Sequence, residues 1–440
     1  RRRRPQRQRP PVEIARRRAN ESDLHRMTRL LRFRLSVMMF LQFFVWGAWY
    51  ATAGNYMARV GMADAIYWAY TASPIGSIVS PFFLGLIADR FFPVQKVLAV
   101  MHLLSGLFVL VAPLAAGSWL FSTPLFLALL LLHMLCYMPT VGLATAMAFH
   151  GLQGREPEFP WIRMFGTIGW IAAGFLVSFV LHADATAVPM QVAGIAGMVL
   201  GLYCFTLPAV PPPAAGRKVS VKDVLDMGAL ARLADRPFIV FLVSLLLTSI
   251  PLATYYAYAP VYLSAASIAD PAFKMTFGQM AEVLFLLLLP FAFTRLGVKW
   301  VLLAGMLAWV VRYGLFAAAA PGAVAWMILI GIVLHGICYD FVYVAGQVYI
   351  DKKATRDIRA RAQGLFVLVT YGIGQGLGTL VAGWLFNSMM TGDARQDLDA
   401  WQTFWIIPVA FASVVTLVFG LLFRDEVRVT EQQGAVALAK

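Results

Sequence analysis

The sequence predicts an all-α membrane protein with twelve transmembrane helices in two six-helix halves, and three observations predict it. First, the 440-residue chain is 60% hydrophobic and only 13% charged, with a mean hydropathy of +0.73. A soluble domain carries about a quarter charged residues. This chain cannot cover a water-facing surface with polar groups, so most of its surface must face lipid. Second, apolar runs near the roughly 20 residues a spanning helix needs recur along the chain. Third, the charged loops between them alternate in basic content. The runs are long, continuous and rich in Leu, Ala and Gly, unlike the short alternating segments of a β-barrel.

The elements follow in order. Residues 1–33 form a basic arm, opening "RRRRPQRQRPPVEIARRRAN". Its composition cannot build a core, so it is expected to be unstructured, with the residues before Met27 dispensable. The first apolar run is full length and has no cleavage site, which argues against a cleavable signal peptide. The N-terminal half, 34–207, holds runs at 34–57, 65–88, 97–116, 123–149, 162–182 and 190–207. Residues 208–237 form a polar linker, with a stiff Pro run followed by a weakly helical stretch. The C-terminal half, 238–423, holds runs at 238–263, 274–295, 298–319, 323–350, 362–389 and 402–423, and a tail occupies 424–440.

The net charge of +14 would suggest nucleic acid in a soluble protein, but here its placement excludes that reading. Arg90, Lys96, Arg155, the Arg217–Arg236 loop, Arg295, Lys299 and Lys352–Arg361 all fall on one side. The opposite loops hold little more than Arg59, Lys274 and Arg395. Basic loops stay in the cytoplasm, so both termini are expected there. Cys136, Cys204 and Cys338 lie within spans as small packing residues. Their spacing gives neither a disulfide framework nor a metal site, and no cofactor is expected.

Ionisable groups within spans are costly and are functional candidates by default. The charged ones are Arg163, Glu282, Arg312 and Asp340, beside His102, His133 and His335. Arg163, Thr167 and Trp170 fall at i, i+4 and i+7 on one helix face. A cation, a hydroxyl and an aromatic plane suit a solute with hydroxyl oxygens and a flat ring. Against this stands an interfacial Arg163 that snorkels to the membrane surface. Gln42, Trp46 and Trp49 repeat that spacing on the first span, where pocket and packing roles weigh equally for Gln42 and Trp46. Gln279 and Glu282 lie one turn apart; the amide can bind an uncharged solute and the carboxylate can take a proton. His335 and Tyr339 share a face, while Asp340 points about 100° away from Tyr339. Asp340 is expected either to pair with Arg312 on the preceding antiparallel helix or to share in proton coupling. Tyr255, Tyr258 and Tyr262 share one stretch of the seventh span, which Pro251 and Pro260 kink, and stacking and core packing are open alternatives.

"GLIADR", with Gly85, Asp89 and Arg90, resembles the loop signature of the major facilitator superfamily, although Phe92 stands where that signature has glycine. "FLQFFVWGAWYATAGNYM" (40–57), "YMPTVGL" (137–143), "FPWIRMFGTIGWI" (159–171), "AEVLFLLLLPFAFTRLGVK" (281–299), "AWVVRYGLFA" (308–317) and "RARAQGLFVLVTYGIG" (359–374) resemble the bacterial nucleoside:proton symporters of that superfamily. The likeness runs from about residue 33 to 428. It implies the major facilitator fold in a bacterial inner membrane, and import of nucleosides with protons by alternating access. It also implies substrate-cavity roles for Arg163, Thr167, Gln279 and Glu282, with a tenth span that lines the cavity. Family members often carry Tyr and Phe where His335 and Tyr339 stand, and their seventh-span amides are absent here. The partners expected are a nucleoside or related polar solute, protons and the lipid bilayer, with no nucleic acid and a monomeric state. A proton-coupled sugar or glycoside transporter is the alternative. A membrane enzyme would need a nucleophile or metal cluster, and the sequence offers neither. "GIGQGLG" at 372–378 lies mid-span, where glycines serve close helix packing rather than phosphate binding.

Overall fold

The computed structural model of the protein describes residues 11–83, 91–117, 121–152, 155, 158–212, 233–355 and 358–424. Among them the regular structure is helical, without a strand. Among the described residues nine segments are long and apolar enough to cross a membrane. They are α1 (Arg29–Arg59), α3 (Val94–Ala116), α4 (Thr123–Gly151), α5 (Phe159–Val180), α7 (Arg236–Ala265), the double-length Pro271–Gly322, α10 (Ala325–Lys353), α11 (Arg361–Met389) and α12 (Leu398–Leu422). The shorter α2 (Ile66–Phe83) and α6 (Val188–Cys204) complete the first half. Pro271–Gly322 is two helices, α8 (271–296) and α9 (298–322), because Gly297 sits at φ 74°, ψ 169°. Only glycine adopts that conformation without strain. The described helices are therefore consistent with twelve crossings.

Helix starts follow local chemistry. The Ser122 hydroxyl accepts from the Leu125 N–H at 3.3 Å and the Asp235 carboxylate from the Phe238 N–H at 2.9 Å. Each satisfies a donor that the first helical turn leaves unpaired. Prolines in the first turn of α4 and α7 reinforce both starts. Large apolar side chains such as Leu287, Trp384 and Leu417 are exposed on the outside of the bundle, as lipid-facing surface requires.

One expectation is corrected. The helix that continues as α1 begins at Pro11, within the arm whose charge suggested an unstructured chain. Residues 11–28 include four Arg, two Ala and two Glu, all good helix formers, and Pro suits the first helical position. The Gly85, Asp89 and Arg90 motif, the weakly helical part of the linker and nearly all of the tail lie outside the described residues.

Within the first half α1 packs on α5, α2 on α4 and α3 on α6; within the second, α7 packs on α11, α8 on α10 and α9 on α12. The halves meet through α1–α7, α2–α11 and α5–α8. At the end of the bundle away from the termini, polar contacts latch one half to the other. Thr71 Oγ1 and Thr379 Oγ1 are 2.8 Å apart, and the Asn387 amide donates to the Asp64 carbonyl at 2.8 Å. Arg395 pairs with Asp64. His182 Nδ1 lies 3.0 Å from Asp270, and Asp184 accepts from the Ala272 N–H at 2.8 Å. Burial holds the Asp184 carboxyl above its usual range, against the opposing hydrogen bonds from Ala272 and Ser178. At the terminal end, by contrast, Arg32–Glu158 and Lys353–Asp235, each at 2.8 Å, stay within one half.

Candidate functional site in a central cavity

Between the halves lies a cavity of about 680 Å³, its mouth included. The first half contributes Phe43, Trp46 and Tyr50 from α1 and Arg163, Thr167 and Trp170 from α5. The second contributes Tyr256 from α7, Gln279 and Glu282 from α8, Tyr339 from α10, and Tyr371 and Gln375 from α11.

Helical spacing explains this lining. Phe43, Trp46 and Tyr50 form an i, i+3, i+7 stripe, and Arg163, Thr167 and Trp170 an i, i+4, i+7 stripe, so each helix turns one face inward. The aromatic rings support one another edge to face. Trp46 and Trp170 have centroids 5.6 Å apart, and Tyr50 and Tyr256 meet across the halves at 5.8 Å. The hydroxyls of Tyr339 and Tyr371 hydrogen-bond to each other. Both lie at or beside wide helical turns, Asp340–Val344 in α10 and Leu368–Gly374 in α11. Such π-type turns are frequent at functional sites.

The lining carries one cation and one carboxylate, so it is formally neutral. The Arg163 guanidinium lies 4.1 Å from the centroid of the Phe43 ring. Glu282 Oε1 is 3.0 Å from His335 Nε2. Among the described residues Arg163 and Glu282 form no ion pair, so these cavity-wall groups of opposite charge are parted in this arrangement. Gln279 Oε1 and Trp46 Nε1 are buried and lack a protein hydrogen-bond partner. They give the cavity an acceptor and a donor that no protein group satisfies. An uncharged solute with hydroxyls, ring nitrogens and a flat apolar face matches this set.

Seven of the ten residues expected at the cavity line it: Trp46, Arg163, Thr167, Trp170, Gln279, Glu282 and Tyr339. Three lie elsewhere. Gln42 is fully buried, donating to Thr140 Oγ1 and accepting from His102 Nε2, each at 2.8 Å. Tyr255 is fully buried between Arg312 and His335. His335 is fully buried behind Glu282. Trp49, on the Gln42 stripe, packs against His133 with centroids 5.3 Å apart. The cavity residues missed were Phe43, Tyr50, Tyr256, Tyr371 and Gln375. The inward face of α1 is displaced from the expected one by one residue, about 100° of rotation, and on α7 Tyr256 takes the place expected of Tyr255. The i, i+4 spacing of Tyr371 and Gln375 within an apolar span was a usable signal.

The expected Arg312–Asp340 ion pair is also corrected. Arg312 donates to the carbonyls of Gly331 at 2.8 Å and Ile332 at 3.4 Å. Its guanidinium lies over Tyr255 and Trp309. Similar depth on antiparallel helices did not bring the two charges face to face. Asp340 opens the wide turn of α10 and is buried, and its Oδ2 has no partner.

The comparison that decides the family spans nearly the whole chain: residues 29–428 match the model of the nucleoside H+ symporter family. The chain belongs to that family. Among its relatives is the putative nucleoside transporter YegT of Escherichia coli (strain K12), 36% identical over 405 residues, 89% of this chain and 93% of the relative. The xanthosine permease of the same organism is 29% identical, covering 90% of this chain and 96% of the permease. The crystal structure of the nucleoside transporter NupG superposes with a TM-score of 0.79 at 27% identity, over 90% of this chain and all of that one. A bacterial homologue of the lysosomal transporter Spinster, at 13% identity and a TM-score of 0.71, shares the fold. This symporter-family protein is thus a multi-pass membrane transporter of the major facilitator architecture, and not an enzyme.

Proposed function

We propose that this protein imports nucleosides together with protons by alternating access between its two halves. The carrying observation is the cavity itself, where an aromatic wall meets a single Arg and a single Glu donated by opposite halves. The family membership supports the same reading. Bases stack on flat rings, and the ribose hydroxyls find Thr167, Gln279 and Gln375. A phosphorylated substrate would need an excess of cations, and the lining has none. The protein is assigned to the bacterial inner membrane as a monomer, with both termini cytoplasmic on the strength of the Lys and Arg distribution. Cysteines introduced at Ser220 and Asp393 should then react with impermeant reagents from opposite sides; reaction from one side alone contradicts this orientation. The latched end would then face outward.

Thr167→Val and Gln279→Ala should each weaken nucleoside binding by the purified transporter while leaving its melting temperature nearly unchanged. Each loses a hydrogen bond worth about 0.5–1.5 kcal/mol, or roughly two- to twelvefold in affinity. Equilibrium binding of uridine and adenosine, with maltose as the glycoside control, measures this. Saturable binding of maltose but of neither nucleoside would replace this reading with the glycoside alternative.

A further inference from the structure

His335 does not touch the cavity, yet it holds the group that does. Its Nε2 lies 3.0 Å from Glu282 Oε1 and 3.1 Å from the Tyr256 hydroxyl. The imidazole is fixed from several sides. The Tyr255 ring stacks on it with centroids 5.0 Å apart, and the Tyr339 ring lies 5.7 Å away. Gly278 of α8 admits it, because a Cβ there would stand 2.9 Å from His335 Cβ and 3.2 Å from the Ile332 carbonyl oxygen. The close approach of α8 and α10 thus delivers the ring to Glu282.

The geometry also selects the form of the ring. Nδ1 is buried and has no hydrogen-bond partner. An imidazolium would strand an N–H there, with the Tyr255 ring between it and the Arg312 cation, which lies 3.9 Å from that ring's centroid. A neutral imidazole with its proton on Nε2 avoids both costs. It donates to the Glu282 carboxylate, and the Tyr256 oxygen accepts the weaker branch.

We propose that His335 is a positioning residue for Glu282. Its Nε2–H pins the carboxylate to the wall of the C-terminal half, so that an incoming solute hydroxyl meets a fixed acceptor rather than a mobile one. The pin also keeps Glu282 from collapsing onto Arg163 across the cavity. The other charged groups whose fields reach this dyad are Arg163 of α5, Arg312 of α9 and Asp340 of α10. None of them hydrogen-bonds the Glu282 carboxylate among the described residues. This proposal rests on the cavity being the solute site, and its test is arranged so that the two fail differently.

The test is a double-mutant cycle on the purified full-length protein, reading equilibrium binding of uridine, adenosine and maltose. Wild-type binding reports which solute class the cavity takes. The cycle then uses whichever probe binds. His335→Phe, which keeps the stacked ring and loses the donor, should weaken binding by about tenfold or more, as expected for a lost hydrogen bond to a charged group. His335→Gln restores a donor near the Nε2 position and should recover affinity to within about threefold of wild type. In a Glu282→Ala background, His335→Phe should change binding less than about twofold, because the group it positions is gone. Equal weakening in both backgrounds, or full affinity in His335→Phe, overturns the proposal even if nucleosides bind.

Discussion

Glu282→Gln should abolish accumulation of nucleoside against a concentration gradient while leaving solute exchange across the membrane measurable. Among the described residues Glu282 is the only carboxylate that lines the cavity, and it faces a cation of the opposite half without pairing to it. A carboxylate there can be neutralised by a proton when the cavity opens to the acidic side. Neutralisation removes its attraction to Arg163 and changes which arrangement of the halves is favoured. Glutamine keeps the size and hydrogen bonding of the protonated acid and cannot ionise. The halves can still alternate around bound solute, but the movement no longer depends on protons. Proton-driven uptake and counterflow, measured side by side in proteoliposomes, separate the two activities. Full gradient-driven accumulation by Glu282→Gln would eliminate Glu282 as the coupling group.

Arg312→Met should destabilise the fold severely, whereas Asp340→Asn should leave it intact. Arg312 is fully buried, bonds two carbonyls and lies over two aromatic rings. Hydrogen bonds from a charged donor contribute about 1.5–3 kcal/mol and a desolvated cation–π contact about 2. Methionine fills much of the space but replaces neither, so a loss of about 3 kcal/mol is expected. Asp340→Asn leaves no cation stranded, since Arg312 does not depend on it. Thermal melting and the yield of monodisperse protein read both effects. Equal losses in the two variants would restore the ion pair that the sequence suggested. A well-folded Asp340→Asn that exchanges solute but cannot accumulate it would transfer the coupling role to Asp340, a buried carboxylate whose Oδ2 has no partner.

The fold was legible because hydrocarbon imposes a coarse and strong rule. Twenty apolar residues in a row have few alternatives to a spanning helix, and the described spans agree with the expected ones to within a few residues. Individual faces were harder to read. In a span that is apolar all round, hydropathy does not mark which side faces the cavity, so one residue of ambiguity becomes a rotation of 100°. That is how Gln42 and Trp49 were grouped with Trp46 in place of Phe43 and Tyr50. Polar pairs at helical spacing come together on the cavity wall where both partners are unusual for a membrane, as with Arg163 and Thr167 or Gln279 and Glu282. The Arg312–Asp340 pairing failed for a different reason. Depth can be estimated by counting residues, but azimuth depends on packing, and Arg312 turned to carbonyls and rings that no sequence pattern announces. His335 was read as a cavity group from its face, and its true neighbour, Glu282, became visible only with the approach of α8 to α10.

The most direct test of the account is uptake of radiolabelled nucleosides into proteoliposomes containing the purified protein, with and without an inwardly directed proton gradient. Accumulation of a nucleoside above its external concentration is expected only when the gradient is imposed, with collapse to equilibrium on addition of a protonophore. Accumulation that is indifferent to the gradient, or gradient-driven accumulation of maltose with none of any nucleoside, would contradict it.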